Sequence, residues 1–312
     1  MVAGHGCGVR LYFRPEPMNT DPDALLASIV HWAEESPNIV ALILTGSRAR
    51  LHASVDEFSD LDVEVIADDP AELIRNDAWL SRFGRVWVYL PTVKGQRYET
   101  RLVFYEGGMK VDFSLCGRER LSAMVEAQVL DNLYERGHRV LVDKTRITSH
   151  LPAATGEPPG KKLPGQEEFS AAVNEFWFEA AHIPRYLLRD ELWVVKFRDW
   201  TMKTLLLTML EWHAIACNRH PVDVWHIGSH MTDWVDEATW NDIHTIFSGF
   251  DARDSWHGLL ATARLFRRLA RETAAATGLE YPAEADESIS GYLASFEERI
   301  SSATSNRDAE LG

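Results

Sequence analysis

Short runs of apolar residues, some of them alternating with polar residues, fill the first half of the chain and are typical of β-strands. Residues 39–44 form a continuous apolar run that predicts a buried strand, whereas residues 61–67 alternate with period two. Apolar residues on either side of these runs recur every three or four positions, as on one helix face. Together the patterns predict strands at 39–44, 61–67, 87–90, 100–105 and 110–116, and helices at 21–36 and 118–136.

The second half of the chain changes to the helical repeat. Helices are predicted from Phe169 to Pro184, from about Glu191 to Cys217, and at Ser255–Thr273. The two halves are separated by residues 151–165, which contain four prolines and three glycines and cannot continue a regular element.

These elements indicate an α+β fold, with a small mixed β-sheet flanked by helices in an N-terminal domain and a C-terminal helical bundle. A chain of 312 residues is long enough for two such domains. The predicted boundaries are a loose N-terminal extension at 1–17, the first domain at 18–150, a linker at 151–165 and the helical domain at 166–312.

The chain is acidic, with 47 Asp and Glu residues against 32 Lys and Arg residues and a formal net charge of −15. Proteins that bind nucleic acid generally carry a basic surface, so this balance argues against a nucleic-acid partner and favours cationic ligands. No apolar run approaches the roughly 20 residues that span a bilayer, and we find no secretory signal and no paired cysteine spacing. We therefore expect a soluble cytoplasmic protein without a membrane partner, whereas the oligomeric state stays open.

The first candidate for chemistry follows the strand at 39–44, where the chain reads Gly46-Ser47-Arg48. Glycine permits a sharp bend, which brings backbone N–H groups and the Ser47 hydroxyl close to a ligand. Arg48 adds positive charge, so the segment is suited to bind phosphate. A Gly-Ser pair after a strand is by itself more often a simple turn, and the other motifs decide between these interpretations.

Three aspartates on the predicted strands form the second candidate. Asp60 and Asp62 are two residues apart, so their carboxylates leave the same face of one strand, which Glu64 extends as an expected solvated residue. Asp112 shares a face of a later strand with Lys110, and alignment of the two polar faces would complete a three-carboxylate site. Neighbouring carboxylates repel unless a cation lies between them, and such oxygen ligands favour Mg²⁺ with bound phosphates. The combined pattern predicts in-line displacement at phosphorus.

The order Gly-Ser, Asp-x-Asp and Asp resembles the nucleotidyltransferase superfamily that includes the polymerase-beta-like enzymes. More narrowly, the chain is similar to the aminoglycoside (streptomycin) 6-adenylyltransferase family over about residues 20–300. The segments that carry this resemblance are 44–49, 58–62, 79–84, 110–115, 175–177, 189–192 and 278–282. The chain departs from the family pattern at 222–235, where the family generally has a lysine-rich stretch and this sequence has no lysine.

This resemblance implies an antibiotic-resistance enzyme that transfers AMP from ATP to a hydroxyl group of an aminoglycoside such as streptomycin and releases pyrophosphate. It also implies that Gly46, Ser47 and Arg48 bind the triphosphate of ATP, and that Asp60 and Asp62 hold Mg²⁺. Catalysis would then come mainly from positioning and from neutralisation of charge.

The remaining candidate residues keep alternatives open. Asp112 is either a third metal ligand or the general base for the attacking hydroxyl, because a carboxylate beside Mg²⁺ ligates it whereas one a hydrogen bond away accepts a proton. Glu99, near the start of the preceding predicted strand, is a reserve base. Glu191, at the start of a long predicted helix, is a candidate contact for a cationic acceptor.

Other functions fit the same motifs. A nucleotidyltransferase of this kind can modify a protein or a tRNA end, as antitoxin-like enzymes do, or use another small hydroxylated acceptor. The helical half of the chain argues against the antitoxin type, since minimal enzymes of that type lack such a domain. A non-catalytic binding protein would require a damaged site, and all three aspartates are present.

Overall fold

The computed structural model describes residues 21–50, 55–94, 98–157, 160–300 and 302. The chain divides into two compact units, Met1–Pro159 and Gly160–Gly312. The division falls inside the proline- and glycine-rich segment that the sequence analysis proposes as a linker. The N-terminal extension predicted at 1–17 lies outside the described residues.

Within the described residues, the first unit is built on a mixed six-stranded sheet. Its strands are β1 (Ile39–Thr45), β2 (Leu61–Ala67), β3 (Val86–Lys94), β4 (Tyr98–Tyr105), β5 (Lys110–Gly117) and β6 (Arg139–Asp143). The order is β3-β4-β5-β2-β1-β6, in which β2 and β5 pair parallel and the other neighbours pair antiparallel. The first five agree with the sequence pattern. The prediction lacks β6 because this short edge strand exposes Arg139 and Val140 and buries only Val142, which leaves no alternating pattern to detect.

Each face of the sheet is covered by its own hydrophobic cluster. On one face, apolar side chains of β1, β2 and β5 pack against α1 (Pro22–Glu35) and the stacked rings of Trp32 and Trp79. On the opposite face, a smaller cluster forms around Ile43 and Tyr134. Burial on both faces fixes the register of the central strands, because a slip of one residue would move every side chain of a strand to the opposite face of the sheet.

The remaining helices of the first unit are short. They are α2 (Pro70–Arg75), α3 (Glu119–Ala127), α4 (Asn132–Glu135) and two 3-10 helices, Ser47–Ala49 and Asp77–Phe83. The prediction of a single helix at 118–136 is wrong, because two separate helices, α3 and α4, occupy this segment. The chain leaves the helical conformation at Gln128, where φ is 50°, and Asp131 then caps α4 by accepting hydrogen bonds from the N–H groups of Leu133 and Tyr134. A left-handed residue and a new N-cap end one helix and start another.

The second unit is helical. Its elements are α5 (Gln166–Leu188), α6 (Leu192–Cys217), α7 (Glu237–Ile243), α8 (Ala252–Thr277), α9 (Ala283–Ala294) and a 3-10 helix, Met231–Asp233. α5, α6 and α8 pack around a cluster that includes the stacked rings of Phe176 and Phe266. The prediction that α5 ends at Pro184 is wrong. Buried packing of Ile183 and Leu187 on either side of Pro184 outweighs the cost of an internal proline, about 3 kcal/mol.

The predicted fold class is confirmed. A mixed sheet with helices is followed by a helical unit, which is the α+β arrangement that the change of hydrophobic period indicates. Among the parts of the chain that the structure describes, no helix combines the length and the apolar character needed to cross a membrane.

Glu64 lies buried at the centre of β2 with 1% of its surface exposed, so the expectation of a solvated residue is wrong. Its carboxylate accepts hydrogen bonds from Arg120 of α3 at 3.1 Å and from the Tyr134 hydroxyl of α4 at 2.8 Å. Arg120 also pairs with Asp131 at 2.6 Å. Burial opposes the charge of Arg120, but the two carboxylates outweigh burial and raise its pKa. This network ties both helices to the strand that carries Asp62.

We expect Glu64→Gln to lower the free energy of unfolding by about 3 kcal/mol, because it removes one charge of a buried pair. Tyr134→Phe removes a single hydrogen bond to a charged group and should cost about 1.5 kcal/mol. Urea unfolding followed by circular dichroism measures both changes. Glu106→Gln is the matched control, because the pair of Glu106 with Arg85 is exposed and contributes little. Equal losses in the Glu64 and Glu106 variants would contradict this role of the network.

Candidate active site

Two neighbouring parallel strands bring the aspartates together. In the pairing of β2 with β5, Asp62 lies directly opposite Asp112. Asp60 precedes β2 by one residue and projects to the same face as Asp62. Carboxylate oxygens of all three residues lie within 4.8 Å of one another. The sheet register therefore brings Asp112, which is distant in sequence, to Asp60 and Asp62, and the three form one cluster, called here the aspartate cluster.

Lys110 supplies a positive charge inside the aspartate cluster. Its Nζ donates hydrogen bonds to Asp60 Oδ2 at 2.7 Å and to Asp112 Oδ2 at 2.8 Å. The three side chains are only 23–32% exposed, so water screens these ion pairs incompletely. Burial alone would lower the pKa of Lys110, but the hydrogen bonds with Asp112 and Asp60 outweigh burial and raise it. The ammonium group therefore stays protonated and neutralises part of the negative charge.

β1 ends beside the aspartate cluster in the glycine bend. Thr45 pairs with Asp62 in the register of β1 with β2, and Gly46 follows with φ at 69°. A Cβ atom on Gly46 would lie 1.9 Å from Asp62 Oδ2, a separation that no side chain can adopt. Ser47 then begins the 3-10 helix that follows the bend. The absent side chain of Gly46 is thus what allows the backbone to approach the Asp62 carboxylate.

Arg48 braces the loop that leads into Asp60. Its Nε donates to the carbonyl oxygen of Ser59 at 3.1 Å, and its Nη2 donates to that of Asp56 at 3.3 Å. These contacts fix the chain immediately before the aspartate cluster. A contact of Arg48 with phosphate stays a prediction.

Glu99 lies on the opposite face of the sheet from the aspartate cluster. It pairs in register with Leu115, whose side chain belongs to the hydrophobic cluster of the α1 face. Its carboxylate accepts a hydrogen bond from Arg101 Nη1 at 3.1 Å, and Arg101 also pairs with Asp77. The expectation of Glu99 as a reserve base is corrected by this position, because strand alternation places Glu99 and Asp112 on different faces.

Glu191 lies in the second unit, exposed at the turn between α5 and α6. It occupies the N-cap position of α6 without making a side-chain capping hydrogen bond. A contact of Glu191 with an acceptor stays a prediction. The segment 222–235, which contains no lysine, follows α6 and contains the 3-10 helix Met231–Asp233.

A cavity of about 600 Å³ opens on the same face of the sheet as the aspartate cluster. Its lining includes Tyr98, Cys116, Arg120 and Met124, and Cys116 lies four residues beyond Asp112 on β5. None of the three aspartates lines this cavity, so it is separate from the aspartate cluster.

The donor set of the aspartate cluster fits a hard divalent cation. Carboxylate oxygens are the protein ligands that Mg²⁺ and Mn²⁺ prefer. Three carboxylates and the ammonium group of Lys110 give the cluster a formal charge of −2, which attracts a divalent cation. Among the residues that the structure describes, no other group of His, Cys, Asp or Glu side chains converges in this way. The three residues that the sequence predicts as metal ligands therefore lie close enough together to share one ion, and their role as ligands stays a prediction.

Sequence reasoning placed Lys110 on the face of Asp112 but gave it no function. The signal was present, because Lys110 and Asp112 are two residues apart on a strand and a lysine side chain can reach a neighbouring carboxylate. What the sequence could not supply was the parallel pairing of β2 with β5, which brings Asp60 within reach of the same ammonium group.

The chain is similar in sequence and in structure to known proteins. Residues 20–296 match the streptomycin adenylyltransferase family. An aminoglycoside 6-adenylyltransferase of Bacillus subtilis (strain 168) is 23% identical over 269 residues, which cover 84% of this chain and 92% of the relative. One from Staphylococcus aureus is 24% identical over 213 residues, covering 65% and 72%. The crystal structure of an aminoglycoside 6-adenyltransferase from Bacillus subtilis covers 89% of this chain and 99% of its own, with 19% identity and a TM-score of 0.43.

The family match extends over both compact units and is not confined to the strands around the aspartate cluster. It contains the glycine bend, the three aspartates and the helices of the second unit as far as α9. The chain therefore belongs to the streptomycin adenylyltransferase family and is a nucleotidyltransferase.

Proposed function

We propose that this enzyme transfers AMP from ATP to a hydroxyl group of an aminoglycoside, using a divalent metal such as Mg²⁺ held by Asp60 and Asp62, with Asp112 as a third ligand or as the general base. The observation that carries the proposal is the convergence of these three carboxylates within 4.8 Å beside the Gly46 bend. Because the reaction consumes ATP, we expect the enzyme to act in the cytoplasm. We assign the nucleotide chemistry to the domain at 18–150 and acceptor binding to the helical domain at 166–312.

Different residues of the first unit would bind the metal and the phosphate groups of the nucleotide. Asp60 and Asp62 would ligate the metal, which when bound supplies positive charge against the phosphate oxygens and the leaving pyrophosphate. The N–H groups at Gly46 and Ser47 would bind phosphate oxygens, because the bend leaves backbone donors at the start of a 3-10 helix. Arg48, which holds the loop before Asp60, would add charge towards the triphosphate.

Asp112 has two possible roles in this site. Its carboxylate lies opposite Asp62 and within reach of a shared ion, which supports a role as third ligand. It also lies at the side of the aspartate cluster formed by β5, from which an acceptor hydroxyl would approach if Asp60 and Asp62 alone hold the metal. In that case Asp112 would take the hydroxyl proton as the general base.

The aminoglycoside acceptor is supported by the family and by charge. Two relatives are aminoglycoside 6-adenylyltransferases, and streptomycin is the acceptor in the family's name. An aminoglycoside is polycationic, and a chain with a formal charge of −15 attracts such a molecule. Glu191, an exposed carboxylate of the helical unit, is the proposed contact for one of its ammonium groups.

Incubation of the protein with ATP and Mg²⁺ tests the reaction directly. We expect pyrophosphate release that depends on an aminoglycoside, with streptomycin as the first compound of a panel, and AMP attached to the product in mass spectra. Asp62→Asn should lower turnover by about a hundredfold or more while the protein stays folded, because it removes a proposed metal ligand. Near-normal activity of this variant would overturn the metal assignment. Labelling of a protein or of tRNA by ATP, with no aminoglycoside product, would replace the proposed acceptor.

Asp112→Asn separates the two roles of Asp112. If Asp112 is a ligand, the variant should bind Mn²⁺, used in place of Mg²⁺, at least tenfold more weakly, since a neutral amide is a poorer ligand than a carboxylate. If it is the base, Mn²⁺ affinity should stay near that of the wild type while turnover falls about a hundredfold. Calorimetric titration with Mn²⁺ and single-turnover kinetics make the distinction. Normal affinity combined with normal turnover would exclude both roles.

Gly46→Ala tests the close approach of the bend to Asp62. The added Cβ would meet the Asp62 carboxylate and would hold a non-glycine residue at positive φ, so we expect the carboxylate to move and both Mn²⁺ affinity and turnover to fall at least tenfold. Gly291→Ala is the matched control, because nothing lies within 4 Å of an added Cβ on helix α9. A Gly46→Ala variant that binds Mn²⁺ and turns over like Gly291→Ala would contradict the proposed geometry.

A further inference from the structure

The ammonium group of Lys110 bridges two of the three proposed metal ligands. We propose that Lys110 is a resident counter-cation, which holds Asp60 and Asp112 before the divalent ion binds and is displaced from them when it arrives. This inference rests on the proposed function of the aspartate cluster, and it assigns a positioning role to a residue outside the ligand set.

The bridging geometry argues that Lys110 and a divalent ion exclude one another. Lys110 Nζ lies 2.7 Å from Asp60 Oδ2 and 2.8 Å from Asp112 Oδ2, whereas Mg²⁺ binds oxygen at about 2.0–2.1 Å. A carboxylate oxygen can accept a hydrogen bond and ligate a metal at once, but two cations that share both oxygen atoms repel each other strongly. An ammonium group between the two carboxylates would also repel an ion that approaches Asp62.

The negative charge of the aspartate cluster explains why a resident counter-cation would stabilise it before the divalent ion binds. Three carboxylates within 4.8 Å repel each other, and a cation among them lowers the free-energy cost of holding them together. A lysine is suited to this role because its compact charge sits on a flexible stem and can move away without backbone movement. Lys110 begins β5, two residues before Asp112, so its stem starts beside the aspartate cluster.

Arg120 provides the contrast on the same face of the sheet. It holds the buried Glu64 through three donor contacts and has only 9% of its side chain exposed, so an ion that replaced it would have to break a buried, multiply hydrogen-bonded pair. Lys110 is 30% exposed and uses a single nitrogen atom for both aspartates. The difference in exposure and geometry separates a permanent partner from an exchangeable one.

Mn²⁺ binding to the nucleotide-free protein tests this role without reference to activity. The electron paramagnetic resonance signal of free Mn²⁺ gives the affinity of the wild type, Lys110→Met, Lys110→Arg and Lys144→Met. We expect Lys110→Met to bind Mn²⁺ about tenfold more tightly than the wild type, since the competing cation is gone. Lys110→Arg should return the affinity towards that of the wild type, because it restores the positive charge.

Lys144→Met is the matched control for the loss of one charge. Lys144 belongs to the same unit and donates to the carbonyl oxygen of Ser36 at 2.6 Å, with no contact to the aspartate cluster. We expect its Mn²⁺ affinity to stay within about twofold of the wild type. In the absence of Mn²⁺, Lys110→Met alone should unfold at a lower temperature, and saturating Mn²⁺ should restore its stability.

The outcomes separate this inference from the proposed function. If the wild type binds Mn²⁺, Asp62→Asn does not, and Lys110→Met binds no more tightly than the wild type, the counter-cation role is wrong while the metal site stands. Tighter binding that Lys144→Met shares equally would also overturn the role, since the effect would then be one of net charge. If wild type and Asp62→Asn bind Mn²⁺ equally, or neither binds it, the proposed metal site fails and this inference fails with it.

Discussion

Repulsion among three carboxylates is the constraint on which this structure depends. Asp60, Asp62 and Asp112 lie within 4.8 Å of one another, and nothing in the intrinsic preference of an aspartate favours that arrangement. The parallel pairing of β2 with β5 imposes it, because it sets Asp62 opposite Asp112. The hydrophobic clusters on both faces of the sheet hold the register, since a shift of one residue would bury the aspartates and expose the core. Folding of the apolar residues thus provides the free energy that keeps the charges together.

Two kinds of carboxylate share one face of β2. Glu64 is buried and has a buried guanidinium group as partner, so its charge belongs to the fold. Asp62, two residues earlier, lies at the half-exposed end of the same row beside the Gly46 bend, where a ligand can approach. A gradient of burial along a single strand therefore separates a structural acid from those that we propose to bind the metal. Arg120 permanently neutralises the buried carboxylate of Glu64. Under our proposal, Lys110 neutralises the more exposed aspartates only until a divalent ion replaces it.

Much of the arrangement could be predicted because it is local. Alternation along β2 and β5 placed the aspartates on polar faces and the apolar residues in the core, and both strands are observed where the pattern predicts them. The contacts that the sequence did not reveal join distant residues. Glu64 is separated from Arg120 by 56 residues and from Tyr134 by 70, so no window of sequence marks it as buried and paired.

Other predictions are wrong where packing or sheet position outweighs the local preference of a residue. Pro184 ends a helix in isolation, but packing on both sides of it carries α5 through to Leu188. Glu99 has the chemistry of a base and lies near Asp112 along the sheet, yet its position in the alternation of β4 turns it to the other face. The residue type of Glu99 shows that it could accept a proton, whereas the alternation of side chains along β4 determines which face of the sheet it occupies.

The proposed chemistry requires a divalent ion bound at the aspartate cluster. A crystal structure of the protein with Mn²⁺ and a non-hydrolysable ATP analogue, recorded at a wavelength where manganese scatters anomalously, tests it most directly. We expect an anomalous peak ligated by Asp60 and Asp62, next to Asp112, with phosphate oxygens towards Gly46 and the Lys110 ammonium group turned away from Asp60. A peak elsewhere in the chain, or ATP bound with no manganese at the aspartate cluster, would contradict it.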